Sequence, residues 1–278
     1  MTFLPLTIMW DIDPIAFRLG SFGLHWYSLC WALGLLAAYW VVQRNYKQQG
    51  IAEAKFEPLF IYCFLGIIIG ARLGHCLFYD WSYYSQHISE IFIPAVKTPS
   101  GWKFTGFTGL ASHGGTIGLM IALWLYVKRT GVTLFTALDN IAIATPITAF
   151  AIRMGNLMNS EIVGTPTEQP WGFVFARLGE DFARHPSQLY EATAYLTFFF
   201  VGLWLYKQWF KRVGTGYFFG WCLTSIFTFR FFIEFLKKEQ EAFEVDMLLN
   251  MGQLLSLPFI ALGLYCMVRG WHATKAPR

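Results

Sequence analysis

Seven apolar runs, near 22–42, 58–79, 109–127, 139–158, 189–209, 216–235 and 248–268, set the limits on what this chain can fold into. Each is close to the roughly twenty residues that a helix needs to cross the hydrocarbon core of a bilayer, where backbone groups must pair internally. What lies between them is short, for even the two longest connections, 80–108 and 159–188, hold only about thirty residues each. With 55% hydrophobic residues, 14% charged and a mean hydropathy of +0.43, the composition is far from that of a soluble domain. The expectation is an all-α polytopic membrane protein with about seven transmembrane helices in one domain over residues 1–278.

Orientation follows from the basic residues near the run ends, because Lys and Arg favour the cytoplasmic side. The connections after runs one, three and five, with the C-terminal tail, hold eleven: Arg44, Lys47, Lys55, Lys128, Arg129, Lys207, Lys211, Arg212, Arg269, Lys275 and Arg278. The other side holds seven: Arg18, Lys97, Lys103, Arg177, Arg184, Lys237 and Lys238. This asymmetry puts the N-terminus outside, the C-terminus in the cytoplasm and both long connections on the outer face. Trp26, Tyr27, Trp31, Tyr79, Trp81, Tyr83 and Tyr84 fall where helices meet headgroups, as an aromatic belt does. The net charge of +4 is scattered, with no dense basic segment, which argues against nucleic-acid binding. Cys30, Cys63, Cys76, Cys222 and Cys266 lie in apolar runs with no metal-ligand spacing, so they read as free thiols, and no metal site or disulfide framework is expected. The opening MTFLPLTIMWDID has no basic residue before Arg18 and is not patterned as a cleavable signal peptide.

Three arginines interrupt the apolar runs: Arg72 in GARLGHCLFYD, Arg153 in AFAIRMGNLMNSEIVGTPT and Arg230 in FTFRFFIEFLKK. On insertion scales each costs roughly 2.5 to 3.5 kcal/mol at mid-depth, and such residues face a cavity or a partner. Snorkelling or an internal ion pair is the structural alternative, most of all for Arg72. Asn156 lies one turn beyond Arg153, and Asn159 or Ser160 continues that face if the helix persists past Gly155. One guanidinium with two amides suits a phosphodiester bearing hydroxyls better than an inorganic ion. Glu234 follows Arg230 by one turn, so it either neutralises the arginine or fixes its fork for a phosphate.

Ser112-His113-Gly114-Gly115-Thr116-Ile117-Gly118 is a second cluster. An imidazole titrates near neutrality and suits a general base, yet Gly114 and Gly118 equally make a small-residue helix contact with His113 as a polar bridge. A third, RHPSQLYEA at 184–192, opens run five with Pro186 early in the helix; Gln188 and Glu191 can cap that turn or bond neighbouring helices, and the cluster can also receive a headgroup. The chain lacks G-x-S-x-G, H-E-x-x-H, G-x-x-x-x-G-K-[ST] and G-x-G-x-x-G, so a serine or zinc intramembrane protease or a nucleotide-driven enzyme has no signature here. No internal repeat supports an inverted-repeat transporter, although a non-enzymatic lipid or anion transporter using the same arginines is the rival class.

Taken in order, WY at 26–27, GARLG at 70–74, HGG at 113–115, RMGNLMNSEIVGTPT at 153–167, HPSQLYE at 185–191, FRFFIEF at 229–235 and MGQLLSLP at 251–258 make the chain resemble the bacterial prolipoprotein diacylglyceryl transferases. The resemblance implies a seven-span inner-membrane enzyme with its active site facing the outer leaflet. Such an enzyme moves the diacylglyceryl group of phosphatidylglycerol to the lipobox cysteine of a prolipoprotein, with glycerol phosphate as the other product. Carried over by motif, Arg153 resembles the family's phosphatidylglycerol-binding arginine and Arg230 its second essential arginine. His113 matches the HGG histidine, and Tyr27, Asn156, Glu161, Gly164 and Glu234 match other motif positions. Lys237 stands where an arginine is common, and Ile226 where a tyrosine is looked for. The implied catalytic set is His113, Arg153 and Arg230; the lipid-binding set adds Asn156, Tyr27 and Gly164; Glu161, Glu234 and Arg72 support them. No cofactor and no metal are expected, since two guanidiniums supply the positive charge, and the partners are phosphatidylglycerol, the prolipoprotein and membrane lipids.

Overall fold

The computed structural model describes residues 7–20, 22–93, 95–98, 101–104, 109–238 and 247–273. Residues 1–6 of the opening MTFLPLTIMWDID and the tail residues Lys275 and Arg278 lie outside that set. The described chain is mainly helical: α1 Trp26–Gln48, α2 Glu53–Phe78, α3 Trp81–Tyr84, α4 Ser89–Phe92, α5 Ser112–Thr130, α6 Leu134–Met158, α7 Ser187–Gln208, α8 Tyr217–Ile233 and α9 Met251–His272. The seven long helices fall on the seven apolar runs, with ends displaced by a few residues. Among the described residues, Glu53–Phe78, Leu134–Met158, Tyr217–Leu236 and Met251–His272 are long and apolar enough to cross a membrane. α1 and α7 are rich in Trp and Tyr, and α5 opens on SHGG, which lowers their hydropathy. Lipid-sized faces of the long helices are apolar and exposed, including Trp40, Phe78, Trp204, Phe232 and Tyr265. Patches of this kind are rare on soluble monomers.

The connections add short strands that the apolar runs did not announce. β1 (Ile8–Trp10) runs parallel to β6 (Phe173–Phe175), β2 (Ile15–Leu19) pairs with β3 (Phe22–His25), and β4 (Ala95–Thr98) pairs with β5 (Gly101–Phe104). The β2–β3 hairpin occupies the expected start of the first span, so α1 begins at Trp26 rather than near residue 22.

Two compact units make up the chain, one of residues 1–45 and 138–278, the other of residues 46–137. In the second unit α2 and α5 approach through glycines: a Cβ on Gly74 would stand 2.7 Å from the Gly114 Cα. Backbones this close need residues without side chains, the usual way membrane helices gain contact. Tyr126 ties the other end, donating to Lys55 O at 2.8 Å and lying 3.1 Å from the Tyr46 hydroxyl.

In the first unit the core gathers Ile143, Leu205, Tyr206, Phe218 and Trp221. Asp139, fully buried on α6, accepts the amides of Gly214 (2.8 Å), Gly216 (3.0 Å) and Phe219 (2.9 Å), so a side chain caps the start of α8. α9 starts with a capping box, Asn250 accepting from Gln253 N while Gln253 Oε1 accepts from Asn250 N. These caps fix the two helices that carry or flank Arg230.

Candidate active site

α6 brings Arg153 and Asn156 onto one face in its last two turns, then stops at Met158. The chain leaves the helix through Ser160 (φ 55°) and Ile162 (φ 57°), both in the left-handed region. For a β-branched residue this is a strained conformation, held only where neighbours over-determine it. Those neighbours are Ser187 and Gln188 at the start of α7, both fully buried. Ser187 Oγ donates to Ile162 O at 2.8 Å and Gln188 Nε2 to Glu161 O at 2.7 Å. The helix does not run past Met158, so Asn159 and Ser160 do not continue the Arg153 face; they belong to this bend. Pro186 is the residue before α7 rather than part of it.

Beyond the bend the chain crosses between two other extended segments. Gly164 N donates to His185 O and Thr165 N to Leu236 O, while Lys238 N donates to Val163 O. Gly164 is pinched there: a Cβ would lie 2.6 Å from that of His185 and 2.7 Å from Leu236 O. Arg184 forks onto both carboxylate oxygens of Glu180 and donates to Gly164 O at 3.1 Å, so its guanidinium is engaged within the fold.

The charged side chains form a continuous ladder. Arg153 Nε lies 3.2 Å from Glu191 Oε2, Lys237 Nζ lies 3.2 Å from Glu191 Oε1 and 2.9 Å from Glu234 Oε1, and Arg230 Nε lies 3.5 Å from Glu234 Oε1. Glu191 is wholly buried and Lys237 nearly so, whereas the Arg230 side chain is 39% exposed. Tyr195 OH donates to Glu191 Oε1 at 3.1 Å. Neither arginine Nε is aligned on its carboxylate as a hydrogen bond, since Glu191 Oε2 and Arg230 Nε have no hydrogen-bond partner among the described residues. The carboxylates hold the two guanidiniums by charge, and Lys237 is the cation they bond.

A second chain of bonds leaves Arg153 in the other direction. Its Nη1 donates to Asn156 Oδ1 (3.1 Å), and Asn156 Nδ2 donates to Glu161 Oε1 (3.2 Å), which also accepts from Asn159 Nδ2 (3.0 Å). Tyr27, at the start of α1, packs on the same turn: a Cβ on Gly155 would come 2.8 Å from its ring. The arrangement is a scaffold of amides and carboxylates that presents two guanidinium forks, suited to oxyanion oxygens.

The family model for prolipoprotein diacylglyceryl transferase matches residues 14–269. The chain belongs to the prolipoprotein diacylglyceryl transferase family. Among its relatives, the phosphatidylglycerol–prolipoprotein diacylglyceryl transferase of Bacteroides fragilis is 54% identical over 268 residues, covering 96% of each chain. The protein of the same name from Porphyromonas gingivalis is 43% identical over 289 residues, covering 99% of this chain and 97% of its own. That from Tolumonas auensis is 41% identical over 262 residues, 94% of this chain and 96% of its own.

Set against this transferase family, the first unit brings together Arg153, Arg230, Asn156, Tyr27, Glu161, Gly164 and Glu234. His113 and Arg72 belong to the second unit. His113 is exposed in the first turn of α5, next to the glycine that packs on Gly70 and Gly74. Arg72 is buried, donating to Glu90 O (2.6 Å) and Ile91 O (3.2 Å) under the Tyr84 ring, which ties α2 to α4. Glu191 and Lys237, which join the two arginines into one ladder, do not stand out from the apolar pattern. A glutamate near the start of a span and a lysine one turn after Glu234 were the available signals.

Proposed function

We propose that this chain transfers the diacylglyceryl group of phosphatidylglycerol to the lipobox cysteine thiol of an exported prolipoprotein, in the bacterial inner membrane with the site toward the outer leaflet. The observation that carries the reading is the pair of intramembrane arginines, each held near a carboxylate that is itself bonded to Lys237, so their donors are positioned without being used up.

The thiol loses its proton to a base, for which His113 is the proposed residue, because only a thiolate attacks well and a free thiol with a pKa of about 8.5 is mostly protonated at neutral pH. Sulfur forms a bond to the glyceryl carbon that bears the phosphate, the carbon–oxygen bond breaks, and the electron pair leaves with glycerol phosphate. Negative charge grows on those phosphate oxygens as the bond lengthens. Arg153 and Arg230 meet it with charge-assisted donors that need no reorganisation, the condition under which such stabilisation is largest. Asn156 and Tyr27 shape the turn that holds Arg153, Gly164 lets the chain beyond it pass between His185 and Leu236, and Glu234 orients Arg230. The acyl chains stay among apolar helix faces throughout.

The rival is a lipid or anion transporter built on the same arginines. Purified full-length protein, labelled phosphatidylglycerol and a lipobox peptide in one tube separate the classes. The transferase reading expects label on the peptide through a thioether. Movement of lipid between leaflets without labelled peptide would favour the transporter, and a shortened peptide would indicate a protease.

A further inference from the structure

The bonds running from Arg153 through Asn156 to Glu161 have a direction. Each donor points away from the arginine, so the guanidinium end offers donors and the Glu161 end offers an acceptor. Glu161 Oε1 is filled by Asn156 Nδ2 and Asn159 Nδ2, while Oε2 of this exposed residue has no donor among the described residues. Near it, Asn159 Oδ1 is a buried acceptor that also lacks a partner among the described residues. The backbone that carries the carboxylate is fixed: residues on both sides of it take positive φ, and Ser187 and Gln188 clamp the carbonyls of Ile162 and Glu161. Strained non-glycine backbone persists at clamps for ligands.

A carboxylate placed one amide away from a phosphate-binding arginine repels a bare phosphate. It gains only from a ligand that brings an anion to one end and hydroxyl donors to the other. We infer that Glu161, with Asn159, reads the free hydroxyls of the glycerol headgroup and so selects phosphatidylglycerol among anionic phospholipids. This rests on the transferase reading and assigns Glu161 a specificity role within it. A hydroxyl bonded to an ionised acceptor is lost in an analogue that lacks it, which leaves the site's acceptors unpaired.

The test compares phosphatidylglycerol with phosphatidylmethanol, which has the same phosphodiester and acyl chains but no headgroup hydroxyl. Full-length protein and a lipobox peptide are used, and kcat/KM is read for each donor. The wild type is expected to prefer phosphatidylglycerol by about 10- to 100-fold. Glu161→Gln replaces the open acceptor with an amide, and the ratio of the two donors should fall to within about threefold, whatever the absolute rates. Equal use of both donors by the wild type overturns the inference without any variant. A ratio that survives Glu161→Gln in protein with unchanged melting temperature overturns it too. If the wild type transfers from neither donor, the transferase reading itself is wrong, and the two failures are distinct.

Discussion

Lys237 is the residue on which the availability of the two arginines turns. Glu191 and Glu234 are buried carboxylates, and each alone would close on its guanidinium, since an unpaired buried charge is costly. A single ammonium on a flexible stem reaches an oxygen of both, a job that suits a point charge as well as a planar fork. Arg184, the basic residue considered as a headgroup receiver, is instead locked on Glu180 and Gly164 O. Its hydrogen bonds hold the Glu180 carboxyl below the usual value of 4.5. A depressed folded value stabilises above the unfolded one and is lost as pH falls through the folded one. Melting temperature should therefore drop on acidification below about pH 4.5, and Arg184→Gln should flatten that part of the curve; an unchanged acid limb would show that the pair contributes nothing. Arg153, Asn156 and Glu161 were legible in the sequence because polar residues stand out in an apolar run. The Glu191–Lys237 bond was not, because its partners are 46 residues apart and neither has a local signature.

At the scale of elements, the seven long helices were readable from the spacing of apolar runs, whereas their ends depended on contacts that the runs do not encode. α6 stops where the strained bend is clamped from α7, and α8 starts where Asp139, from a distant helix, collects three amides. The three- to five-residue strands are too short for alternation to show. The two readings of the HGG stretch assign neighbouring residues different jobs, so one pair of variants separates them. Gly114→Val would drive side-chain atoms into α2 and should cost about 1–3 kcal/mol of stability. His113→Asn, at an exposed position, should stay within about 0.5 kcal/mol while removing a limb from the rate–pH profile. A normal profile in His113→Asn would assign the histidine to structure alone.

For the whole molecule, the membrane class followed from composition and run length, and the division into two compact units did not, because both are built from the same kind of apolar helix. The orientation read from Lys and Arg makes an accessible test. In a background without native cysteines, a membrane-impermeant thiol reagent applied to intact cells should label Trp171→Cys and spare Lys211→Cys, both being exposed positions. The reverse pattern would invert the topology and put the site on the cytoplasmic leaflet. The assembled protein is expected to stabilise a departing phosphate through its guanidinium forks. Transfer of labelled diacylglyceryl to a lipobox peptide by full-length Arg153→Lys protein, inserted and melting as the wild type does, addresses it most directly. Loss of about 10²-fold or more is expected, because one ammonium cannot copy a fork aimed at the leaving oxygens. Wild-type turnover in that variant would contradict the account.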